Sequence, residues 1–281
     1  MKKSGLLHAL LALLLPLGML SSTTAPSIIN GNAASPFQIP WQVVIVGPGG
    51  VECGGAIIGP NMILTAAHCN TNQAQVFAAT QQASQFSNPR TIASRIEAAN
   101  YGGTATYQND LAVLILNQPI GAGQAIRYDG GRSVTNPGTL ATVAGFGRYD
   151  NNSPDRSPNF LSATVPIVST SSIPGGNLSG ITITDDMIVA GAEGKGPCNY
   201  DSGGPLFVNN SGTSYLVGVV SFRGTNNTCA VNGVPDGYTR ISSYCQWILQ
   251  QTVNAASING SRTPCNGQSV NYTVINAPVN G

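Results

Sequence analysis

The chain has few charged side chains: lysine, arginine, aspartate and glutamate together make up 8% of its 281 residues. The 12 basic and 11 acidic residues give a formal net charge of +1 at pH 7, and they form no basic run. A nucleic-acid-binding surface needs clustered lysine and arginine to neutralise phosphates. The composition excludes such a surface, and we expect no nucleic acid among the partners of this chain.

Long apolar segments are absent after the N-terminal region. The one long apolar segment, Leu6–Leu20, is shorter than the roughly 20 residues that a bilayer-spanning helix needs, and Pro16 interrupts it. It follows Lys2 and Lys3 and precedes small residues at 25–27. These features are typical of a secretory signal peptide. We predict a signal peptide over residues 1–27, no membrane anchor, and export to the extracellular space or, in a bacterium, to the periplasm.

Metal-binding patterns are also absent. The six cysteines include no Cys-x-x-Cys pair, and one of the two histidines, His8, lies in the predicted signal peptide. A structural zinc site needs cysteine or histidine ligands in close groups. Six cysteines in an exported chain instead indicate three disulfides, and we predict neither a metal nor a cofactor.

Short segments rich in β-branched residues recur along the chain, between glycine, proline and asparagine residues. Many short strands with turn signals predict an all-β fold of barrels or a sandwich, rather than alternating strands and helices. The predicted strands are Val43–Val46, Ala56–Ile58, Met62–Leu64, Leu111–Leu116, Ala141–Ala144, Ala163–Val168 and Tyr215–Val220.

Helical signal is confined to a segment near the C-terminus. There, Ser242 or Ser243 is predicted to cap a helix that carries Tyr244, Trp247 and Ile248 on one side.

After the predicted signal peptide the chain contains a single histidine, so any imidazole chemistry must use His68. His68 stands in the motif Thr-Ala-Ala-His-Cys, Asp110 in Asn-Asp-Leu-Ala-Val, and Ser202 in Asp-Ser-Gly-Gly-Pro. A serine nucleophile needs a base to accept its proton, and the base needs a carboxylate to orient its ring. The motifs supply these groups with the histidine first, whereas an α/β-hydrolase has its histidine last and its serine in Gly-x-Ser-x-Gly.

These motifs, with Cys-Gly-Gly at 53–55 and Gly-Phe-Gly at 145–147, resemble those of the trypsin/chymotrypsin-like serine proteases over about residues 28–255. The resemblance implies two packed six-stranded antiparallel β-barrels with a C-terminal helix. The barrels would cover about residues 28–135 and 136–255, and the remainder, 256–281, is predicted to be an irregular tail because it is rich in Asn, Gly, Ser and Pro.

The resemblance also implies a secreted serine endopeptidase that acts on proteins or peptides through an acyl-enzyme intermediate, as a monomer that protein inhibitors could block. Ser202 would attack the scissile carbonyl, His68 would take and later return a proton, and Asp110 would orient the imidazole. A catalytically inactive, trypsin-like binding module is the alternative that the motifs leave open.

The segment 28–31 looks like the start of the mature chain in this family. In relatives the freed α-amino group, here of Ile28, inserts beside the acid that precedes the nucleophile, here Asp201. A buried ammonium–carboxylate pair is costly unless both partners are present, so it can act as a switch. The preceding residue, Ser27, is not basic, and we predict that signal-peptide cleavage itself releases Ile28.

The resemblance implies how the cysteines pair: Cys53 with Cys69, Cys198 with Cys229, and Cys245 with Cys265. The last pair would tether the tail to the terminal helix. Ile173 and Val189 stand about where a further family disulfide would be, so we expect apolar packing there. Asn70–Arg95 contains no Asp or Glu, unlike the calcium loop of trypsins, so we expect no calcium requirement.

Tyr200 stands where the family has glycine. The N–H groups of Tyr200 and Ser202 would form the oxyanion hole, which stabilises the charge that develops on the carbonyl oxygen. The Cβ atom of a tyrosine restricts this turn, which leaves two interpretations. Either the hole is intact and the ring lies over the leaving-group side, as we favour, or the hole is partly misformed and the enzyme is slow.

The predicted specificity pocket departs from that of trypsin. Gly196 stands where trypsin-like members have aspartate, and Asp236 stands where most have glycine, as in crab collagenase-like members. A carboxylate at the pocket base favours arginine or lysine before the cleaved bond, with relaxed specificity because it is off-centre. Ser221, Phe222 and Arg223 would bind the substrate backbone, and Arg223 either pairs with Asp236 and cancels its charge or points to solvent.

Overall fold

The structure is a computed structural model that describes residues 28–121, 123–131, 134–191, 193–254 and 265. The predicted signal peptide lies outside the described residues, and so does the predicted tail apart from Cys265. None of the described helices has both the length and the hydropathy that a membrane crossing requires.

The described part of the chain is built almost entirely of strands. In chain order, the elements are β1 (Asn32–Ala33), β2 (Gln42–Gly47), β3 (Gly50–Gly59), β4 (Met62–Thr65), β5 (Gln75–Ala78), β6 (Arg90–Glu97), β7 (Ala112–Leu116), β8 (Arg127–Tyr128), β9 (Leu140–Gly145), β10 (Leu161–Val168), β11 (Asn177–Leu178), β12 (Ile181–Thr182), β13 (Met187–Gly191), β14 (Pro205–Asn210), β15 (Thr213–Phe222), β16 (Pro235–Arg240) and α1 (Cys245–Asn254). Each strand predicted from the sequence overlaps an observed one.

The first barrel is closed by six antiparallel strands in the order β2, β3, β4, β7, β6 and β5, with β5 pairing back onto β2. Its core side chains include Val43, Ile45, Ile63 and Leu114, all without solvent exposure. Strands β4 and β7 are almost entirely buried, because they are covered on both faces, which explains their nearly unbroken apolar sequences.

The second barrel contains β9, β10, β13, β16, β15 and β14 in that order, and it closes because β9 pairs with both β10 and β14. Strand β1 adds to β10, and β8 adds to β15 in parallel. Buried valines and Tyr238 fill its interior. The predicted fold of two six-stranded antiparallel barrels is therefore confirmed, and β1 and β8 are additions to the second barrel.

The predicted start of the terminal helix was wrong. Ser242 and Ser243 lie inside a 3-10 turn over Ile241–Tyr244, and α1 follows it from Cys245. The N-cap of this 3-10 turn is Arg240, whose side chain makes no capping hydrogen bond within the described part of the chain. Tyr244, Trp247 and Ile248, which were predicted to share one side of this helix, do face one core: Tyr244 and Ile248 are buried in that of the first barrel, and Trp247 packs against it.

The structure contains the three expected disulfides, and it has apolar packing where a further disulfide of the family would be. The three disulfides are Cys53–Cys69, Cys198–Cys229 and Cys245–Cys265. Ile173 and Val189 lie together in a small buried apolar cluster, with exposed fractions of 6% and 0%. The expected apolar packing of Ile173 and Val189 is therefore present.

Candidate active site

A cavity of about 350 Å³ opens between the barrels and brings together side chains that are far apart in the sequence. Of the predicted catalytic and substrate-binding residues, those that line it are His68, Tyr200, Ser202, Ser221, Phe222 and Arg223. Asp110, Asp201 and Asp236 are instead buried, with at most 3% of each residue exposed. The predicted site therefore has a solvent-facing layer and a layer of buried carboxylates.

His68 and Asp110 form a hydrogen-bonded pair within the first barrel. Nδ1 of His68 lies 2.8 Å from Oδ2 of Asp110, and the backbone N–H of His68 donates to Oδ1 at 2.9 Å. Both carboxylate oxygens are thus used to fix one histidine, which holds its ring in a defined orientation.

The loop that carries His68 is held from two sides. The Cys53–Cys69 disulfide ties it to β3. Arg95 of β6 donates to the carbonyl oxygens of Ala67 and Cys69, which flank the histidine, and it also pairs with Glu97 at 2.8 Å. Arg95 has no signal in the sequence, because nothing local indicates that a side chain of β6 binds this loop.

Asp110 is also bound by the second barrel. The hydroxyl of Ser221 donates to its Oδ2, and the hydroxyl of Thr239 donates to its carbonyl oxygen at 2.8 Å. We predicted Ser221 only as a substrate-binding residue, so its bond to the carboxylate is a role that the sequence did not show. Asp110 therefore has donors from both barrels, as a fully buried carboxylate requires.

The turn that carries Ser202 docks on the first barrel through backbone contacts. The N–H of Gly54 donates to the carbonyl oxygen of Ser202 at 2.8 Å. A Cβ atom on Gly203, which has a φ of +79°, would lie 2.6 Å from the carbonyl oxygen of Gly54. A Cβ atom on Gly54 would lie 2.9 Å from Cα of Gly204. The glycines of the two motifs are thus required because the backbones approach so closely.

Asp201 is fully buried beneath this turn. Its Oδ1 accepts the N–H of Gly147 at 2.8 Å, and its Oδ2 accepts that of Cys198 at 2.9 Å. A Cβ atom on Gly145 or Gly147 would lie 2.1 Å or 2.4 Å from the side chain of Asp201, which explains the Gly-Phe-Gly motif. Burial raises the pKa of Asp201 to about 7, although the two N–H groups oppose this shift.

The start of the described chain lies in the second barrel, close to the cavity wall. Ile28 is completely buried in the core of this barrel. Ile29 exchanges two backbone hydrogen bonds with Gly196, at 3.0 and 3.3 Å, and the side chain of Asn30 donates to the carbonyl oxygen of Gly194. These contacts tie the segment to Gly196, which directly precedes the cavity-lining Pro197.

Tyr200 adopts a backbone conformation that disfavours side chains. Its φ is +76°, in the left-handed region, which costs an L-residue roughly 1–2 kcal/mol. Its ring lies under the guanidinium of Arg156, with Cζ 4.0 Å from the ring centroid. Among the described residues, no acceptor takes the N–H of Tyr200 or that of Ser202.

Asp236 lies behind the cavity wall, where its carboxylate faces Gly196. Its Oδ1 accepts the N–H of Gly224 at 3.0 Å, and among the described residues its buried Oδ2 has no hydrogen-bond partner. A Cβ atom on Gly196 would lie 2.6 Å from Oδ2, so glycine at 196 leaves the space that the carboxylate occupies. Burial raises the pKa of Asp236 to about 7, and the Gly224 N–H and the charge of Arg223 oppose this only in part.

Arg223 does not form an ion pair with Asp236 among the described residues. Its guanidinium instead donates to the carbonyl oxygen of Asn226 at 3.3 Å and lies 3.9 Å from the sulfur of Cys229. Of the two expectations for Arg223, cancellation of the Asp236 charge is therefore wrong. The side chain is half-buried at the cavity wall rather than fully solvated.

Tyr107 is a lining residue that the sequence analysis missed. The edge of its ring meets the ring of His68, with centroids 5.6 Å apart, and it packs against Phe222 at 5.3 Å. Burial and the nearby carboxylate of Asp110 raise the pKa of the Tyr107 hydroxyl. Its apolar body thus closes the cavity beside the histidine.

The described residues offer no complete set of metal ligands in the cavity. One group of His, Cys, Asp and Glu side chains there is close enough for a shared ion, namely Cys53, His68 and Cys69. The two sulfurs are joined in a disulfide, which removes the thiolates that a metal would need.

Comparison with known proteins places this arrangement in context. The sequence model of the trypsin family matches residues 28–248. The chain is 34% identical over 242 residues to fibrinolytic enzyme isozyme C of Lumbricus rubellus, which covers 79% of this chain and 98% of that protein. It is 32% identical over 228 residues to trypsin delta of Drosophila melanogaster, covering 79% and 87% respectively.

A solved structure is also similar in fold. It is neuropsin, a serine protease expressed in the limbic system of mouse brain, with a TM-score of 0.69 and 24% sequence identity. The match covers 80% of this chain and 99% of that one.

Removal of the Ser221 hydroxyl by Ser221→Ala should destabilise the fold. We expect the free energy of unfolding at pH 7 to fall by about 1–3 kcal/mol, because the buried Asp110 carboxylate loses a donor. The control is Ser243→Ala, whose hydroxyl makes only a long, exposed bond of 3.4 Å. Equal losses for the two variants, measured by urea unfolding, would show that the bond to Asp110 is not stabilising.

Proposed function

Because the chain belongs to the trypsin family of serine endopeptidases, we propose that it hydrolyses peptide bonds through an acyl-enzyme intermediate on Ser202. The observation that carries the proposal is the pairing of His68 with the buried Asp110, at 2.8 Å, at the edge of the cavity that Ser202 also lines. A base that is oriented by a carboxylate thus lines the same cavity as a serine hydroxyl group.

The chemistry follows from the atoms that line the cavity. Oγ of Ser202 attacks the scissile carbonyl carbon, and its proton passes to Nε2 of His68. Asp110 accepts the Nδ1–H of the ring, which keeps Nε2 free to act as the base and stabilises the imidazolium. The proton then goes to the leaving amine, and water hydrolyses the acyl-enzyme by the same route.

The backbone N–H groups of Tyr200 and Ser202 are the proposed oxyanion hole. Both residues line the cavity, and no described residue accepts a hydrogen bond from either N–H group. Donors that are already oriented in a site with little water stabilise a developing oxyanion without reorganisation. This supports the interpretation in which the hole is intact despite the tyrosine.

A serine-directed phosphonyl fluoride tests the proposed nucleophile and base. We expect labelling at Ser202 that disappears on denaturation, and loss of both labelling and peptide-amide cleavage in His68→Ala. The exposed Ser211, changed to alanine, is the matched control and should react as the unmodified chain does. A correctly folded chain that neither reacts nor cleaves would instead support the inactive binding module.

Substrate specificity is proposed to depend on Asp236. The carboxylate is buried, one of its oxygens has no hydrogen-bond partner in the described part of the chain, and that oxygen lies beside Gly196, where a Cβ atom would be 2.6 Å away. A guanidinium or ammonium group that reached this oxygen would supply the missing partner. We therefore propose a preference for arginine or lysine before the cleaved bond, relaxed because the carboxylate lies behind the wall.

This preference should depend on pH. The pKa of Asp236 is about 7, so the group is neutral below that pH and charged above it. We expect the ratio of kcat/KM for an arginine substrate to that for a leucine substrate to fall as the pH drops from 8 to 6. The ratio removes titrations common to both substrates. In Asp236→Asn it should be low and independent of pH, and an unchanged ratio there would exclude this role.

The mature N-terminus is proposed to be Ile28, paired through its α-amino group with Asp201. The supports are the burial of Ile28, its anchoring through Ile29, and the buried carboxylate whose pKa is raised to about 7. An ammonium group nearby would lower that pKa and hold the carboxylate ionised. Cleavage after Ser27 would therefore stabilise the turn that carries Ser202.

N-terminal sequencing of the exported protein tests this step. We expect the sequence to begin at Ile28, and we expect a form that retains Ser27 to react far more slowly with the phosphonyl fluoride. A fully reactive form that begins upstream of Ile28 would contradict the proposed pair.

Export from the cell is proposed on the basis of the predicted signal peptide and the three disulfides. Such disulfides form and persist in oxidising environments. The proposed partners are proteins or peptides as substrates and protein inhibitors of the cavity, with the enzyme acting as a monomer.

A further inference from the structure

We propose that Arg156 is a positioning residue for the oxyanion hole. Its guanidinium holds the ring of Tyr200 and thereby keeps the backbone of this residue in the left-handed conformation. The inference rests on the proposed function, because it concerns the N–H group that Tyr200 would offer to the reacting carbonyl.

The backbone conformation of Tyr200 is intrinsically unfavourable, so contacts with other residues must stabilise it. A φ of +76° suits glycine, whereas a bulky L-residue meets steric repulsion between Cβ and the backbone. Such conformations persist only where the surroundings fix them. The hydrogen bonds of Asp201 fix the chain on one side of Tyr200, but they do not act on the tyrosine side chain.

The contacts of the Tyr200 ring stabilise the left-handed backbone conformation. The ring is half-buried, packs against the core of the first barrel, and lies 4.0 Å from Cζ of Arg156. A guanidinium within about 6 Å of an aromatic centroid is attracted to the face of the ring. If the backbone left the left-handed region, the ring would move with it and lose this contact.

Arg156 is itself fixed in place. Its backbone forms a bridge with Arg148, and the N–H of Arg148 donates at 2.9 Å to the carbonyl oxygen of Asn199, next to Tyr200. On the other side, a Cβ atom on Gly50 would lie 3.2 Å from Nη1 of Arg156. The guanidinium therefore lies between the β2–β3 turn and the tyrosine ring, which limits its movement.

The consequence concerns the transition state more than substrate binding. The N–H of Tyr200 is useful only while the left-handed conformation directs it, with that of Ser202, toward the same oxygen. Weaker support for that conformation lowers the fraction of molecules with both donors in place. The loss should therefore appear in kcat, with KM nearly unchanged.

The test is a double-mutant cycle on peptide-amide hydrolysis. We expect Arg156→Met to lower kcat by about five- to thirtyfold, the range that corresponds to a cation–π contact at a partly buried site. In the Tyr200→Gly background, glycine adopts the left-handed conformation without help. There, Arg156→Met should change kcat by less than about twofold.

Two comparisons make the cycle decisive. Arg148→Met alters the same loop but leaves the guanidinium of Arg156 over the Tyr200 ring. Its effect on kcat should therefore be the same with Tyr200 or glycine at position 200. If Arg156→Met lowers kcat equally in both backgrounds, or has no effect in the unmodified chain, the positioning role is excluded.

Active-site titration with the phosphonyl fluoride separates this inference from the proposed function. Full labelling at Ser202 in all variants, with the kcat pattern expected above, supports both. Full labelling without the coupling overturns only the role of Arg156. An unmodified chain that neither labels nor cleaves overturns the proposed function, and the positioning role with it.

Discussion

A carboxylate that is completely buried must obtain donors from its surroundings, and Asp110 obtains them from both barrels. His68 binds it from the first barrel, and Ser221 and Thr239 bind the same residue from the second. The buried carboxylate is satisfied only while His68 and Ser221 both reach its oxygens, and Thr239 adds a bond to the backbone carbonyl oxygen of the same residue. The hydrogen bonds to the Asp110 side chain therefore help to fix the relative position of the two barrels. They also help to fix the shape of the cavity between the barrels.

Close backbone contact is the second constraint, and it explains why the recognisable motifs are rich in glycine. The turn around Ser202 rests on Gly54, and Asp201 occupies the space beside Gly145 and Gly147. These glycines are widely separated in the sequence, yet each one makes room for a group of the other segment. The glycine-rich motifs recognised from the sequence therefore contact one another in the fold.

The sequence predicted an all-β fold of barrels or a sandwich through its strand pattern. Through its resemblance to the trypsin-like proteases it implied the two barrels, the disulfide pairing and residues, such as His68 and Ser202, that line the cavity. It did not predict the contacts of Arg95, Tyr107 or Arg156, since each one depends on how distant loops pack. The error at Ser242 has a local cause. Capping preference predicts a helix start at a serine, but here the chain leaves β16 directly into a 3-10 turn.

The Cys245–Cys265 disulfide has a consequence for the products of any proteolysis of this chain. A cut anywhere between these two cysteines opens the chain but leaves the downstream piece covalently attached to the terminal helix. Proteolysis in this segment would therefore produce a nicked molecule rather than a shortened one, and only reduction would separate its pieces.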